Sequence, residues 1–182
     1  ASGRLQTARL ALELLLCQDE QKAVSMAEEL RILNEERKAM TQRGVDEALK
    51  QVEEQYREDS VLVIFLPDCH ESVAGIIAGR VREAWNRPTF VLTRGEGCVK
   101  GSGRSIEAYN MYREMCGVQE LFLKFGGHPM AAGFSIEGGH VEEFRRRLNE
   151  QASLKPEDFI PKVHIDVPMP LAYADERTAD EL

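Results

Sequence analysis

The chain has 182 residues, of which 23 are Lys or Arg and 31 are Asp or Glu, so its formal net charge is −8. Hydrophobic residues make up 43% and charged residues 30%, a composition that excludes disordered and fibrous proteins. No apolar stretch approaches the ~18 residues of a transmembrane helix, and the acidic total argues against a nucleic-acid partner.

The four cysteines are widely spaced and form no C-x-x-C pair; they are Cys17, Cys69, Cys98 and Cys116. This pattern argues against a disulfide framework and a zinc site, and it favours reduced thiols. The first residues also lack the basic region and the small-residue cleavage site of a signal peptide. We therefore expect a cytoplasmic protein that does not interact with membranes.

The first 60 residues are predicted to be helical. Leucines at helical spacing indicate a first helix that ends near Cys17, and Asp19 is expected to cap a second one. The second pattern continues for about 38 residues, as far as Tyr56, which corresponds to roughly 57 Å of helix. Because its apolar spacing is too irregular for a coiled coil, we interpret residues 1–59 as a connector between two domains.

From Val61 onward the pattern alternates between strands and helices, which predicts a mixed α/β sheet flanked by helices in a domain that spans residues 60–154. The expected strands are 61–66, 89–93, 98–105 and 134–136. The expected helices are 72–85, 109–124 with a break at Gly117, and 140–152. Residues 125–133 are expected to form a loop.

The end of the chain shows another pattern. Val163, Ile165 and Val167 alternate with polar residues, which predicts a strand with little chain left to pair with it. We expect residues 155–182 to begin a further β domain that the chain does not complete.

The charge is unevenly distributed along the chain. Residues 1–60 carry 9 basic and 13 acidic groups (−4), residues 61–135 carry 8 and 7 (+1), and residues 136–182 carry 6 and 11 (−5). The central segment also contains 10 of the 14 glycines, and a backbone without side chains can approach a ligand closely. The acidic flanks therefore dominate the total, and the objection to a nucleic-acid partner does not hold for the centre.

The first of three glycine-rich motifs, residues 70–80, follows the first predicted strand and opens a helix. Backbone N–H groups at such a helix start can bind an anion, and His70 lies in the loop before it. The glycines and alanines of this helix have small-x-x-x-small spacing, so close packing alone would also explain them.

The second motif, residues 100–105, combines two glycines with two hydroxyl groups and an arginine. The guanidinium of Arg104 is a planar fork that fits two phosphate oxygens, and Ser102 and Ser105 add short donors on either side of Gly103. The same composition also occurs in ordinary turns.

The third motif, residues 125–133, places His128 after Gly126 and Gly127. A histidine near neutral pH can donate to a phosphate oxygen, although a histidine that only stabilises a tight turn is the alternative. Neither His70 nor His128 has a second His or Cys at metal-ligand spacing, so no metal site is predicted within this chain.

Together and in this order, the motifs resemble the second, DHH-associated domain of RecJ-type single-stranded-DNA exonucleases, in the DHH phosphoesterase superfamily. The family pattern is a His followed by V-x-G-I-x-A-x-R, then G-S-x-R-S, then G-G-H-x-x-A-A-G. The matching positions are His70 with residues 73–80, residues 101–105 and residues 126–133. By the same resemblance, residues 1–59 look like the family's interdomain connector, and Ile165-Asp166 looks like the entry into its OB-fold domain.

The resemblance implies hydrolysis of single-stranded DNA from the 5′ end in DNA repair and recombination. It implies that Mn²⁺ or Mg²⁺ is bound by Asp/His motifs of a catalytic DHH domain, and D-x-D and D-H-H are absent from this chain. This chain alone is therefore expected to bind no metal and to be inactive. The expected partners are single-stranded DNA and the catalytic domain, and single-stranded-DNA-binding protein is left open as a further partner.

The resemblance also implies a set of phosphate-binding residues, with His128 as the catalytic one. These are His70, Ser102, Gly103, Arg104, Ser105, Gly126, Gly127 and His128.

The chain departs from the family pattern at Glu71-Ser72, because many relatives have a glycine before the valine. One alternative is a phosphodiesterase for short oligoribonucleotides or cyclic dinucleotides from the same superfamily. Those relatives usually have four glycines before the histidine, where this chain has Lys124-Phe125-Gly126-Gly127. A second alternative is a phosphate- or nucleic-acid-binding module without catalysis. A scaffold organised around the long helix would leave the three motifs unexplained.

Overall fold

The computed structural model describes residues 8–162, together with Ile165, Pro168 and Pro170. The helices are α1 (Arg9–Leu16), α2 (Glu20–Gln51), α3 (Glu71–Trp85), α4 (Met111–Cys116) and α5 (Val141–Gln151), and a π-helical turn (Val52–Tyr56) extends α2. The strands are β1 (Leu62–Phe65), β2 (Thr89–Arg94), β3 (Val99–Arg104), β4 (Phe122–His128) and β5 (Ala131–Ile136). Most of the strand predicted near residues 163–167, like the first residues of the predicted connector, lies outside the described residues.

The five strands form one mixed sheet in the order β1-β2-β3-β5-β4. β1 and β2 are parallel, and all other neighbours are antiparallel. Successive side chains of a strand point to opposite faces, so β1 and β2 contribute to two cores. Phe90 lies in the core with α4 and α5, whereas Val91 lies in the core under α2 and α3. This confirms the predicted mixed sheet with flanking helices.

The long helix is confirmed, since α2 and the π-helical turn run without a break from Glu20 to Tyr56. Asp19 caps it as predicted, because its side chain accepts the N–H of Lys22 at 3.0 Å. The C-terminal part of the helix packs against α3, where a Cβ on Gly44 would overlap the side chain of Ile77. None of the described helices is long and apolar enough to cross a membrane.

Two contacts fix the connection between the long helix and the sheet. Arg145 on α5 donates to both carboxylate oxygens of Asp59, at 2.6 and 2.8 Å. Asn149, one turn later, accepts the N–H of Val61 at 3.0 Å and donates to its carbonyl at 2.9 Å. The loop that leads into β1 is therefore held on α5.

Two predictions for residues 109–133 need correction. The helix predicted over 109–124 does end at its predicted break at Gly117, but its second half is a 3₁₀ turn (Gln119–Leu121) and the start of β4. The loop predicted over 125–133 is a hairpin in which β4 and β5 flank Pro129-Met130. A register shift between Phe122 and Lys124 interrupts the alternation of β4. It leaves Phe122 and Phe125, which both pack on the core, three residues apart, and that spacing is typical of a helix.

Candidate phosphate-binding site

On one face of the sheet, α2 and α3 cover β1 and β2, and α3 also packs against β3. The same face is open over β5 and β4, where Gly133, Lys124, Gly126 and His128 are exposed. The strand register places nine residues on this face in three rows across β3, β5 and β4. The rows are Arg104–Ala131–His128, Ser102–Gly133–Gly126 and Lys100–Ser135–Lys124. We call these nine residues the open face. Neighbouring strands lie ~4.8 Å apart and the rows ~6.8 Å apart, so the second and third sequence motifs meet on one surface of about 10 by 14 Å.

A cavity of about 730 Å³ lies over this surface, between the start of α3 and β4. Its floor is the middle row of the open face, and its walls include Glu71 and Ser72 from α3 together with Lys100 and Lys124. The row of Arg104 and His128 adjoins it toward the hairpin turn. The basic residues that line the cavity are therefore Lys100 and Lys124, whereas Arg104 and His128 lie in the adjoining row and do not line it.

Core packing explains the glycines of β3, but it does not explain those of the cavity floor. A Cβ on Gly101 would overlap the ring of Phe134, and one on Gly103 would come within 2.9 Å of Phe90, so core packing requires both glycines. A Cβ on Gly126 would meet nothing within 4 Å, and one on Gly133 would meet only a carbonyl oxygen at 4.0 Å. Packing within the protein does not require the two floor glycines, which leaves room for a ligand against the backbone.

The guanidinium of Arg104 is half-buried and is oriented by its own strand. Nη1 donates to the carbonyl of Gly103 at 2.7 Å, and no carboxylate of the described residues forms an ion pair with Arg104. Arginine has five N–H donors. The donors that remain are not among the buried polar atoms that lack a partner in the described part of the chain, so they are accessible to solvent or to a ligand. Within the part of the chain that the structure describes, Arg104 is therefore an oriented cation without an ion-pair partner.

His128 is exposed, and the hairpin turn sets its tautomer. Nδ1 of the ring accepts the N–H of Met130 at 3.3 Å, so the proton of the neutral ring lies on Nε2. The turn itself is held by the N–H of Ser105, which donates to the carbonyl of Met130 at 2.9 Å, and by the N–H of Met111, which donates to that of Pro129 at 3.0 Å. Nε2–H is thus a donor on the open face, at the end of a braced turn.

Four of the predicted phosphate ligands do not lie on the open face: Gly103, Gly127, Ser105 and His70. Gly103 and Gly127 occupy the alternate strand positions, which belong to the opposite face of the sheet. Ser105 is 2% exposed, and its hydroxyl donates to the carbonyl of Tyr109 at 2.6 Å. The prediction of Ser105 as a phosphate ligand is therefore corrected, because its hydroxyl is already used in the core and its N–H braces the hairpin turn.

His70 lies beside the open face and not on it. It is the N-cap of α3, where its Nδ1 accepts the N–H of Ser72 at 3.3 Å. Its side chain lines a second cavity of about 770 Å³ together with Arg43 of α2 and Arg94 of β2. His70 therefore caps helix α3, and the next residue, Glu71, lines the first cavity.

An ion pair separates the two cavities. Lys100 contacts Glu71 at the start of α3, and both residues line both cavities. The hydrogen bond from Lys100 to this carboxylate raises the pKa of the lysine. The departure from the family pattern at Glu71 thus places an acidic group in the site, where it neutralises one of the basic groups.

Sequence reasoning missed Lys124 and Ser135, because the prediction of a loop over 125–133 concealed the pairing of β4 with β5. The register of β3 with β5 and β4 with β5 is the signal that identifies them. Among the described residues, no group of three or more His, Cys, Asp or Glu side chains is placed to hold a metal ion. Metal chemistry in this site would therefore need ligands from other residues.

Two serines of the second motif give opposite predictions. Ser105→Ala is expected to lower the free energy of unfolding by about 1–2 kcal/mol, because a buried hydrogen bond is lost, and to leave phosphate affinity unchanged. Ser102→Ala should leave stability unchanged and weaken binding of a 5′-phosphorylated oligonucleotide about 5-fold, since one neutral donor contributes ~1 kcal/mol. Urea denaturation and fluorescence anisotropy measure the two effects. The reverse pattern would contradict this assignment.

Gly126 and Gly103 give a second pair of opposite predictions. Gly126→Ala should reduce oligonucleotide affinity about 10-fold, because its methyl group would occupy the floor of the cavity, without a loss of stability. Gly103→Ala should destabilise the fold by about 1–3 kcal/mol through overpacking against Phe90 and Met111. Urea denaturation measures the change in stability, and fluorescence anisotropy measures the change in affinity. Wild-type affinity of Gly126→Ala would show that no ligand lies against the floor.

Comparison with known proteins places these observations in a family. The DHHA1 domain family matches residues 58–154. The single-stranded-DNA-specific exonuclease RecJ of Bacillus subtilis is 37% identical over 171 residues, which cover 92% of this chain and 22% of that protein. RecJ of Escherichia coli is also 37% identical, over 82% of this chain and 28% of that protein. The chain thus spans about a quarter of the length of these relatives.

Solved structures give the same result. The crystal structure of RecJ from Thermus thermophilus in complex with Mg²⁺ matches with a TM-score of 0.73 and 31% identity, over 82% of this chain and 23% of that one. A structure of exonuclease RecJ bound to manganese matches with a TM-score of 0.76 and 30% identity, over 86% of this chain and 39% of that one. The fold of the described residues is therefore shared with these enzymes.

Proposed function

The chain belongs to the DHHA1 domain family and matches that part of RecJ, and from this we propose that it forms the DNA-binding part of a single-stranded-DNA exonuclease. The proposed reaction of the complete enzyme is hydrolysis of phosphodiester bonds from the 5′ end, in DNA repair and recombination. A cytoplasmic location is part of the proposal, and it is supported by four cysteines that are all free thiols.

The observation that supports the proposal most strongly is the open face. It brings together Arg104, which has no ion-pair partner among the described residues, the Nε2–H of His128 and the hydroxyl of Ser102. The floor positions Gly126 and Gly133 have no side chains. Donors around a bare backbone suit a phosphodiester, which is anionic, rich in acceptors and bulky. The local excess of basic groups attracts it although the whole chain is acidic.

Each residue then has a distinct role in the proposed complex. Arg104 binds two oxygens of a backbone or terminal phosphate, and Ser102 donates a further hydrogen bond. His128 donates its Nε2–H to the scissile phosphate or its neighbour, where negative charge increases during hydrolysis. Because Gly126 and Gly133 have no side chains, the DNA strand can lie against the β-sheet. Lys124 contacts the phosphate backbone two rows away from His128, about 13 Å along β4.

The divalent metal of the reaction does not fit the donor set of the described residues, since they contain no group of three or more ligands for it. We propose that Mn²⁺ or Mg²⁺ is bound by a catalytic DHH domain elsewhere in the parent protein and that the open face forms the opposite wall of the cleft. Exposed leucines on α1, with Leu15 82% and Leu16 71% accessible, offer that domain an apolar docking surface.

Fluorescence anisotropy of this chain with single-stranded DNA, with and without a 5′-phosphate and across a salt series, tests the proposal. Binding should be weak, should favour the 5′-phosphate and should decrease as salt increases. The purified chain should cleave no DNA in Mn²⁺. Cleavage by the chain, or binding that is indifferent to both the phosphate and salt, would contradict the proposal.

A further inference from the structure

The arginine of the second motif lies against the helix of the first motif. Gly75 on α3 faces Arg104 so closely that a Cβ there would lie 2.9 Å from Nη2, 3.5 Å from Cζ and 3.6 Å from Nη1 of the guanidinium. Apart from the adjacent residues and the backbone of the helix itself, these are the three described heavy atoms nearest to that position. The missing side chain of Gly75 therefore provides the space that the guanidinium occupies.

The neighbouring glycine of the same helix face makes a useful contrast. Gly79 lies one turn further along α3, and a Cβ there would meet only Cγ of Arg104, at 4.0 Å. This is an ordinary van der Waals distance. Gly75 and Gly79 share a helix, a half-buried environment and a neighbour, but only the first is in steric conflict with the charged end of that neighbour.

Helix packing does not account for Gly75. The fully buried residues of α3 are Val73, Ala74, Ile77, Ala78 and Val81, and Gly75 is not among them. A glycine in a helix interior reduces stability relative to alanine. Gly75 lowers the stability of the helix and is not required by core packing. Because its open position faces the guanidinium of Arg104, we look for its role in its effect on that group.

We propose that Gly75 is a positioning residue that sets the orientation of the Arg104 guanidinium for the phosphate. This inference rests on the proposed function for the role of Arg104, whereas the geometry of Gly75 is independent of it. The carbonyl of Gly103 holds Nη1 on one side, and the open position at Gly75 receives the rest of the group. A planar fork must be correctly oriented to bind two oxygens, so a small displacement loses the second hydrogen bond.

Gly75→Ala and Gly79→Ala form a matched pair for the test. Both variants should unfold at the same temperature as the wild type or a higher one, because alanine favours the helix. Gly75→Ala should bind a 5′-phosphorylated oligonucleotide about 10-fold more weakly, as expected when one hydrogen bond of a pair is lost. Gly79→Ala should bind with unchanged affinity.

The Arg104→Ala background separates a positioning role from a direct one. Gly75→Ala should have no further effect on binding once Arg104 is absent. A full 10-fold loss in that background, or wild-type affinity of Gly75→Ala in the normal background, would overturn the inference.

A readout without DNA keeps this test separate from that of the proposed function. The Hε–Nε NMR signal of Arg104 should shift in Gly75→Ala and stay in place in Gly79→Ala. An unshifted signal in Gly75→Ala would overturn the positioning role. A shifted signal combined with wild-type DNA affinity of Arg104→Ala would instead contradict the proposed function.

Discussion

Replacement of Arg104 with alanine is expected to lower the affinity for 5′-phosphorylated single-stranded DNA by about 30- to 150-fold. Two charge-assisted hydrogen bonds to one phosphate correspond to ~2–3 kcal/mol. The slope of log affinity against log salt should decrease by about one, because one phosphate contact is lost. Arg104→Lys should recover part of the affinity, since it retains the charge and loses the planar fork. Anisotropy titrations across a salt series measure all three effects.

Arg146→Ala is the matched control for charge. Arg146 lies on α5, which packs on the opposite face of the sheet, and it pairs with Glu150 at 2.7 Å. The substitution removes the same charge from the chain, so it should leave the affinity within about 2-fold of wild type. Equal losses in the two variants would mean that binding depends on net charge and not on the open face.

His128→Ala should reduce the turnover of the complete exonuclease by about 30- to 150-fold, because the Nε2–H donor to the phosphate is removed. The affinity of the variant exonuclease for Mn²⁺ should equal that of the wild type, since the proposed metal ligands lie in another domain. Stability should change little, because the side chain is exposed. His128→Gln keeps an N–H donor and should recover part of the activity. Steady-state kinetics and Mn²⁺ titration measure the two properties.

Two outcomes would contradict the role of His128. Unchanged turnover of His128→Ala would show that the ring donates to no reacting phosphate. A loss of Mn²⁺ affinity that accounts for the loss of turnover would place the residue at the metal.

The first half of the sheet could be predicted from the sequence to within one or two residues. β1, β2 and α3 are bounded by the expected turns, and their apolar side chains follow the period of their element. The hairpin of β4 and β5 could not be predicted in the same way. Its register shift imitates helical spacing, and Gly126-Gly127 before Pro129 has the composition of a loop.

The candidate site was predictable in its composition and not in its geometry. The motifs contain Arg104, Ser102 and His128, whose phosphate-binding roles are proposed, but their common face depends on pairings between strands that are distant in the sequence. Strand alternation could have separated Ser102 from Ser105, which lie three positions apart and therefore on opposite sides of the predicted strand 98–105. The contact between Gly75 and Arg104 depends on how α3 crosses the sheet, and no local pattern contains that information.

Amide NMR mapping of this chain reports directly whether the open face binds the phosphates of single-stranded DNA. During titration with a short 5′-phosphorylated oligonucleotide, the largest shifts should fall on residues 100–104, 124–128 and 131–135. The amide signals of α5 should not shift. Shifts that cluster on α5 or on the exposed half of α2, with the open face unchanged, would contradict the claim.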